Sequence, residues 1–174
     1  MKIVIAIISL LIFALPAYPQ STNDDCIKTK SLTKKDLSKT FPFDRTKKIQ
    51  LVSFDPGDTE SIPIKNGRID TLTFKETKKL IAGEEEKLID ILFNYAPAPK
   101  NSDGPEEVIM CYNPRNAILF KDDRNDIIAY IEICFECLKY HPSGINIAGF
   151  CHNKYDMLKA FFHQNNVKFG TTEK

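Results

Sequence analysis

The chain has 174 residues, and its 24 Lys and Arg side chains against 23 Asp and Glu side chains give a formal net charge of only +1. A charge this close to zero argues against a protein that binds nucleic acid through an overall positive field. The length corresponds to one domain that is large enough to bury a core without covalent reinforcement. The sequence contains five cysteines and no tryptophan, and we find no internal repeat.

The first twenty residues have the pattern of a secretory signal peptide. Met1-Lys2 precede an almost unbroken apolar run over residues 3–15, which is followed by Pro16, Ala17 and a polar stretch. The run is too short for a bilayer core of about 30 Å, which needs about 20 residues. It matches the apolar region of an export signal, which has about 7–15 residues. Cleavage near residues 17–20 predicts an exported, periplasmic or extracellular chain without a stable membrane anchor.

Residues 21–47 are predicted to be a polar, basic leader ahead of the domain. Acidic residues interrupt its lysines, which favours a solvated segment over an arm that binds polyanions. Residues 48–54 have the composition of a strand, and residues 55–58 form a turn. Two short strands near 61–64 and 67–72 follow as a hairpin, because Asn66-Gly67 tolerates the positive φ of a tight turn.

Two helices are predicted next. Thr73 and Glu76 fit a capping box, which indicates a short helix that ends at Ala82. Residues 84–95 form the second helix, since three glutamates favour its amino end and its apolar side chains recur at spacings of three and four. Residues 96–105 are predicted to be a loop within one domain.

The second half of the chain is predicted to be rich in strands. Residues 107–112, 117–121 and 127–135 are joined by short turns, so they form an antiparallel meander. A helix over residues 153–164 and a frayed tail at 171–174 complete the chain. The sequence therefore predicts a single α+β domain at 48–170, in which an antiparallel sheet with a three-stranded meander at about 107–137 packs against two preceding helices and one C-terminal helix.

Four of the five cysteines fall in the strand-rich half, and in an exported chain they are disulfide candidates: Cys111, Cys134, Cys137 and Cys151. If the third strand continued through Cys137, the Cα atoms of Cys134 and Cys137 would lie about 10 Å apart at about 3.3 Å per residue. Disulfides rarely tolerate more than about 7 Å. The two cysteines can therefore pair with each other only if the strand ends near Cys134.

The same residues allow two other kinds of site. A structural zinc site would use ligand types that the sequence offers, although a second close ligand pair is missing: Cys134, Cys137, Cys151 and His152. A thiol–disulfide oxidoreductase would use Cys134 and Cys137, but a reactive thiolate usually lies at a helix amino terminus, and Pro142 and Gly144 follow too soon for a helix. Arg115, on a predicted turn, could hold an anionic ligand bidentately, or form a surface ion pair.

A resemblance covers residues 106–164. The string Cys111-Tyr-x-Pro-Arg115, then Ala117-Ile118 with Phe120, then Tyr130-Ile-Glu-Ile-Cys-Phe-Glu-Cys137 resembles a group of small exported bacterial proteins of the Bacteroidota type that has no assigned activity. The resemblance implies a compact exported domain and transfers no catalytic residue.

The sequence also contains no GxSxG, HExxH or phosphate-loop motif. It therefore predicts a secreted or periplasmic binding or interaction protein of unknown ligand, which has a structural cysteine cluster and performs no catalysis. It uses no cofactor other than a possible zinc ion. A protein is a possible partner, and nucleic acid is not expected.

Overall fold

The computed structural model describes residues 25–98 and 111–171. The predicted signal peptide and most of the 96–105 loop lie outside these residues. The strands are β1 (Cys26–Lys28), β2 (Lys48–Phe54), β3 (Ile64–Lys65), β4 (Arg68–Ile69), β5 (Phe74–Lys79), β6 (Tyr95–Pro97), β7 (Asn116–Lys121), β8 (Ile127–Cys134) and β9 (Lys139–Ser143). The helices are α1 (Lys34–Leu37), α2 (Ala82–Ile89), which continues as a π-helical turn over Asp90–Asn94, and α3 (His152–Gln164).

The main sheet has five strands in the order β5-β2-β7-β8-β9, and every neighbouring pair is antiparallel. The central strand β7 is buried at every position, as expected for a strand that is covered on both faces. Both edges carry features that discourage pairing with another chain. The β5 edge has three lysines, and the β9 edge has Pro142, which cannot donate a ladder hydrogen bond. The α+β class with a mainly antiparallel sheet is confirmed.

One face of the sheet forms the large core with the helices. Ala129, Ile131 and Ile133, at alternate positions of β8, all belong to this core. Leu88 of α2 and Leu158 of α3 belong to the same cluster. The amino end of α2 is stabilised by Glu84, whose Oε2 accepts a hydrogen bond of 2.8 Å from the Ile81 amide.

The other face of the sheet is covered by the segment between β2 and β5. Ile62 packs with Phe54 of β2 and Leu119 of β7 in a second, smaller core. The β3–β4 hairpin lies in this segment, and its turn residues Asn66 and Gly67 have φ values of 52° and 74°. The predicted Asn-Gly hairpin is thus confirmed.

The predicted helix at residues 73–82 is wrong. These residues form β5 after a short 3-10 turn at Thr71–Thr73. Exposure alternates along β5, because the strand pairs with β2 as a sheet edge and shows only one face to solvent. Glu76 does not cap a helix, and its Oε2 instead accepts hydrogen bonds from Ser53 Oγ at 2.8 Å and from the Lys168 and Phe169 amides at 2.8 and 2.9 Å.

The predicted meander is shifted by one strand. Cys111 and Tyr112 are not in a strand, and residues 107–110 lie outside the described residues. The meander consists of β7, β8 and β9, and the third of these lies at Lys139–Ser143, where no strand is predicted from the sequence. Pro142 is compatible with a strand here because β9 is an edge. Of the two helices predicted ahead of the meander, the one at residues 84–95 is confirmed as α2 with its π-helical turn, and the one at residues 73–82 is replaced by β5.

The segment predicted to be a polar leader is part of the fold from Cys26 onward. Strand β1 pairs with β6, and α1 follows it. Phe43 is buried in the large core, with its ring centroid 5.5 Å from that of Phe93 and 5.6 Å from that of Phe120. At the other terminus Thr171 is buried, and the rest of the predicted tail lies outside the described residues. In residues 25–98 and 111–171, no helix has the length and apolarity needed to cross a membrane.

Candidate functional site

All five cysteines lie in the described residues, and four of them form disulfides. Cys26 pairs with Cys151, with Cα atoms 5.4 Å apart, and Cys111 pairs with Cys137, with Cα atoms 5.8 Å apart. Cys134 is a free thiol and only 1% exposed. Of the four predicted disulfide candidates, Cys134 is thus the one that the structure leaves unpaired, and Cys26 takes its place.

The end of β8 determines the geometry of the CxxC sequence. The strand stops at Cys134, and residues 135–138 form a turn in which Leu138 has a φ of 48°. The turn brings the Cys137 amide to Cys134, and this N–H donates a hydrogen bond of 3.3 Å to the Cys134 Sγ. The condition for local pairing, a strand that ends at Cys134, is therefore met, yet Cys137 is bonded to Cys111. We call Cys111, Cys134 and Cys137 the three-cysteine cluster.

A buried carboxylate lies two residues before Cys134. Glu132 is 3% exposed, and its Oε1 accepts a hydrogen bond of 2.8 Å from the Ile62 amide. Its Oε2 accepts a hydrogen bond of 2.9 Å from the Tyr112 hydroxyl. Burial and the neighbouring Glu132 charge raise the pKa of Tyr112 far above its usual value, so this hydroxyl remains a donor. The carboxylate joins the segment before the β3–β4 hairpin and the chain after Cys111 to the centre of the sheet.

Arg115 forms contacts of the kind expected from a surface ion pair. Its Nη1 lies 3.8 Å from Glu136 Oε1, and its guanidinium carbon lies 5.8 Å from the centre of the Phe169 ring. Because Glu136 is in the turn after β8, the pair connects the start of β7 to the CxxC turn.

Asn153, near the amino end of α3, makes contacts that could not be predicted from the sequence. Asn153 forms two hydrogen bonds with the backbone of Cys26. Its Oδ1 accepts from the Cys26 amide at 2.8 Å, and its Nδ2 donates to the Cys26 carbonyl at 3.1 Å. The Cys26–Cys151 disulfide lies beside these two hydrogen bonds. Together they hold β1 against α3, across 125 residues of sequence.

Lys154 is a second residue whose contacts could not be predicted from the sequence. It has no exposed surface, and its Nζ donates to the carbonyl oxygens of Leu92, Ala148 and Gly149 at 3.3, 3.2 and 3.0 Å. Burial lowers the pKa of Lys154 from 10.5 to about 8. The burial of this lysine could not be predicted from the pattern of its helix, because the carbonyl oxygens that accept its hydrogen bonds belong to a distant turn and to a loop.

The predicted zinc ligands are not brought together. Cys137 and Cys151 are in two different disulfides, so neither sulfur has a thiolate available for a metal ion. His152, at the first position of α3, is exposed. Across the described part of the chain, no group of three or more His, Cys, Asp or Glu side chains is placed to hold a metal.

Comparison with protein-family models, with curated proteins and with solved structures finds no match to this chain. The resemblance to small exported bacterial proteins therefore stays a prediction that rests on the residues quoted above.

Proposed function

We propose that this chain is an exported binding or interaction domain whose disulfides are structural and which performs no catalysis of its own. The main support is that the groups most capable of chemistry are engaged in holding the fold together. The Glu132 carboxylate accepts from an amide and a tyrosine, and the Lys154 ammonium donates to three carbonyls. Cys134 is buried and accepts a hydrogen bond from a turn amide.

The two disulfides support export. Disulfides persist in the periplasm or outside the cell and are rare in the cytosol, where thiols are kept reduced. Each disulfide in this chain fixes a segment next to the main sheet: one holds the three-residue strand β1, and the other holds the chain before β7. The apolar run at residues 3–15 provides the route to an oxidising compartment.

Export is tested by expressing the full chain in a bacterium and measuring the intact mass of the protein recovered from the periplasm and the medium. The expected mass is that of a chain cleaved near residues 17–20 and lacking the four hydrogen atoms that two disulfides remove. Retention in the cytoplasm as a full-length chain with five thiols would contradict the proposal.

The absence of catalysis is tested with the Cys134→Ala variant. The purified protein and the variant are compared for reduction of a disulfide-linked protein substrate and for hydrolysis of ester and peptide substrates. We expect neither protein to turn over any of them. A turnover in the parent that Cys134→Ala abolishes would contradict the proposal. Metal analysis of protein purified without chelators is expected to give well below one equivalent of zinc, and a stoichiometric ion would favour the metal-binding alternative instead.

A further inference from the structure

The three-cysteine cluster combines a free thiol with a disulfide in one turn. Cys134 Sγ is in contact with Cys137, because the Cys137 amide donates to it at 3.3 Å. Cys137 is covalently bonded to Cys111. Cys134 and Cys137 are buried, at 1% and 3% exposure, whereas Cys111 is exposed. An unpaired thiol inside the protein thus lies next to a disulfide whose other sulfur belongs to a surface residue.

We propose that this cluster is an intramolecular disulfide relay, which moves the unpaired thiol of the protein from buried Cys134 to exposed Cys111. The relay concerns only the sulfur atoms of the chain itself, so it does not depend on what the domain binds. It goes beyond a structural role, because it gives one of the two disulfides two alternative forms.

The exchange is a single substitution at sulfur. The Cys134 thiol loses its proton, and the thiolate attacks the Sγ of Cys137. A Cys134–Cys137 disulfide forms while the Cys111–Cys137 bond breaks, and Cys111 leaves with the electron pair and takes up the proton. One thiol and one disulfide are present before and after the exchange, so neither an oxidant nor a reductant is consumed.

The fold favours attack from within over attack from outside. Cys134 and Cys137 are held in the same turn, which gives the internal thiol a high effective concentration. An external thiol has poor access to the buried Cys137 sulfur. The product is also sterically reasonable, because β8 ends at Cys134 and the chain turns before Cys137. That turn removes the separation of about 10 Å that a continuous strand would impose.

The same environment makes the exchange slow. Cys134 and Cys137 are packed inside the protein, at 1% and 3% exposure, so their sulfur atoms have little room to align for the exchange. Because the structure contains the Cys111–Cys137 disulfide, we expect this form to predominate, with the Cys111 thiol present in a minority of molecules. A reagent that reacts with the exposed Cys111 thiol should therefore shift the equilibrium towards the form with the Cys134–Cys137 disulfide.

The test is alkylation of the oxidised full chain with N-ethylmaleimide under native conditions, followed by proteolysis without reduction and mapping by mass spectrometry. We expect the label to accumulate on Cys111 over hours, together with a disulfide between Cys134 and Cys137 inside one peptide. Label on Cys134 with Cys111–Cys137 intact would overturn the proposal, as would label on Cys137. A chain that stays unlabelled throughout would overturn it as well.

Two variants separate the relay from other sources of a Cys111 thiol. Cys134→Ala removes the attacking sulfur, so Cys111 is expected to stay bonded and unlabelled; labelling at the parent rate would overturn the relay. Cys111→Ala frees Cys137, and we expect Cys134 and Cys137 to be oxidised to a pair by glutathione disulfide that is supplied while the unfolded variant refolds, when both sulfur atoms are accessible to the oxidant. If that pair does not form in the folded variant, the two sulfur atoms cannot reach each other and the relay is excluded. Both variants retain the Cys26–Cys151 disulfide.

Discussion

At the scale of single residues, Lys154 shows most directly how burial and charge oppose each other. Its ammonium group has no exposed surface, and three carbonyl oxygens replace its hydration. These acceptors favour the charged form, but burial outweighs them and lowers the pKa from 10.5 to about 8. The residue therefore makes the stability of the fold depend on pH.

The free energy of unfolding is predicted to increase with pH above about 8. Above that pH the folded protein releases the Lys154 proton while the unfolded chain still binds it, so the folded state gains stability until the unfolded lysine titrates near 10.5. The gain by about pH 9.5 is at most about 2 kcal/mol, at about 1.36 kcal/mol per pKa unit. Urea unfolding at about pH 7.5 and about pH 9.5, in a Cys134→Ala background that prevents thiol exchange, measures it.

The matched control is Lys154→Met, which keeps the apolar stem and removes the titrating group. This variant is expected to lose the rise with pH, and an unchanged slope would show that another group is responsible. The measurement stays below about pH 10, because Tyr112 and Tyr155 act in the opposite direction there. Their pKa values are raised mainly by burial, so the unfolded chain loses their protons first and stability falls.

Gly170 is a second residue whose identity the structure requires. Its φ of 74° is in the left-handed region, and an added Cβ would lie 2.5 Å from Asn116 Oδ1 and 2.6 Å from Arg115 Cβ. Gly170→Ala is expected to lower the free energy of unfolding by about 1–3 kcal/mol. The control is Gly83→Ala in α2, where an added Cβ meets nothing within 4 Å and helix propensity favours alanine by up to about 1 kcal/mol. Equal effects of the two substitutions in denaturant unfolding would contradict this account.

At the scale of elements, the residues around β5 show that a local sequence can be compatible with both a helix and a strand. Thr73 and Glu76 have the spacing of a capping box, which taken by itself predicts a helix. The strand forms because β2 offers a free edge and because Glu76 accepts hydrogen bonds from amides more than ninety residues away. Features that depend on one element, such as the helix α3 and the Asn66-Gly67 turn, could be predicted, whereas those decided by distant partners could not.

The segment between β2 and β5 is predicted to depend on Glu132 for its attachment. Glu132→Ala leaves the buried Ile62 amide without its acceptor, and an unsatisfied buried group costs about 1–3 kcal/mol. The loss falls on the segment that carries the β3–β4 hairpin, so its amides should open more often than those of α3. Hydrogen exchange followed by mass spectrometry is expected to show faster exchange at residues 56–73 and little change at residues 152–164.

Ile64→Ala serves as the control for this segment, because Ile64 lies on the hairpin but is 59% exposed. Its exchange should resemble that of the parent. If Glu132→Ala accelerated exchange equally in all elements, the carboxylate would be supporting the whole sheet rather than this one attachment.

At the scale of the whole molecule, the disulfide pairing marks the limit of what the sequence could indicate. The rise per residue of a strand shows that Cys134 and Cys137 can approach each other only if β8 ends near Cys134, and β8 does end there, yet Cys137 is bonded to Cys111. The choice of partners depends on where two distant segments pass, and neither has a pattern that reveals its position. Cys26 reaches Cys151 because β1 pairs with β6 and because Asn153 forms two hydrogen bonds with the Cys26 backbone; these contacts join residues 67 or more positions apart.

The two disulfides are predicted to contribute unequally to stability. The chain-entropy account makes a disulfide more stabilising when it closes a longer loop of the unfolded chain, with about 3 kcal/mol for 15 residues and about 4.7 kcal/mol for 100 residues. Cys26 and Cys151 are 125 residues apart, and Cys111 and Cys137 are 26 residues apart. Because the shorter loop lies inside the longer one, the longer loop has an effective length close to 100 residues when both disulfides are present.

Replacement of both members of each pair by alanine measures this difference without leaving a new free thiol from the pair. Cys26→Ala with Cys151→Ala is expected to lower the free energy of unfolding by about 4–5 kcal/mol, and Cys111→Ala with Cys137→Ala by about 3–4 kcal/mol. Urea unfolding should also give a larger m-value for the first double variant, since its unfolded chain is less constrained and exposes more surface. If the shorter loop proved the more important, native contacts of Cys111 and Cys137, rather than restriction of the unfolded chain, would dominate the contribution of that disulfide.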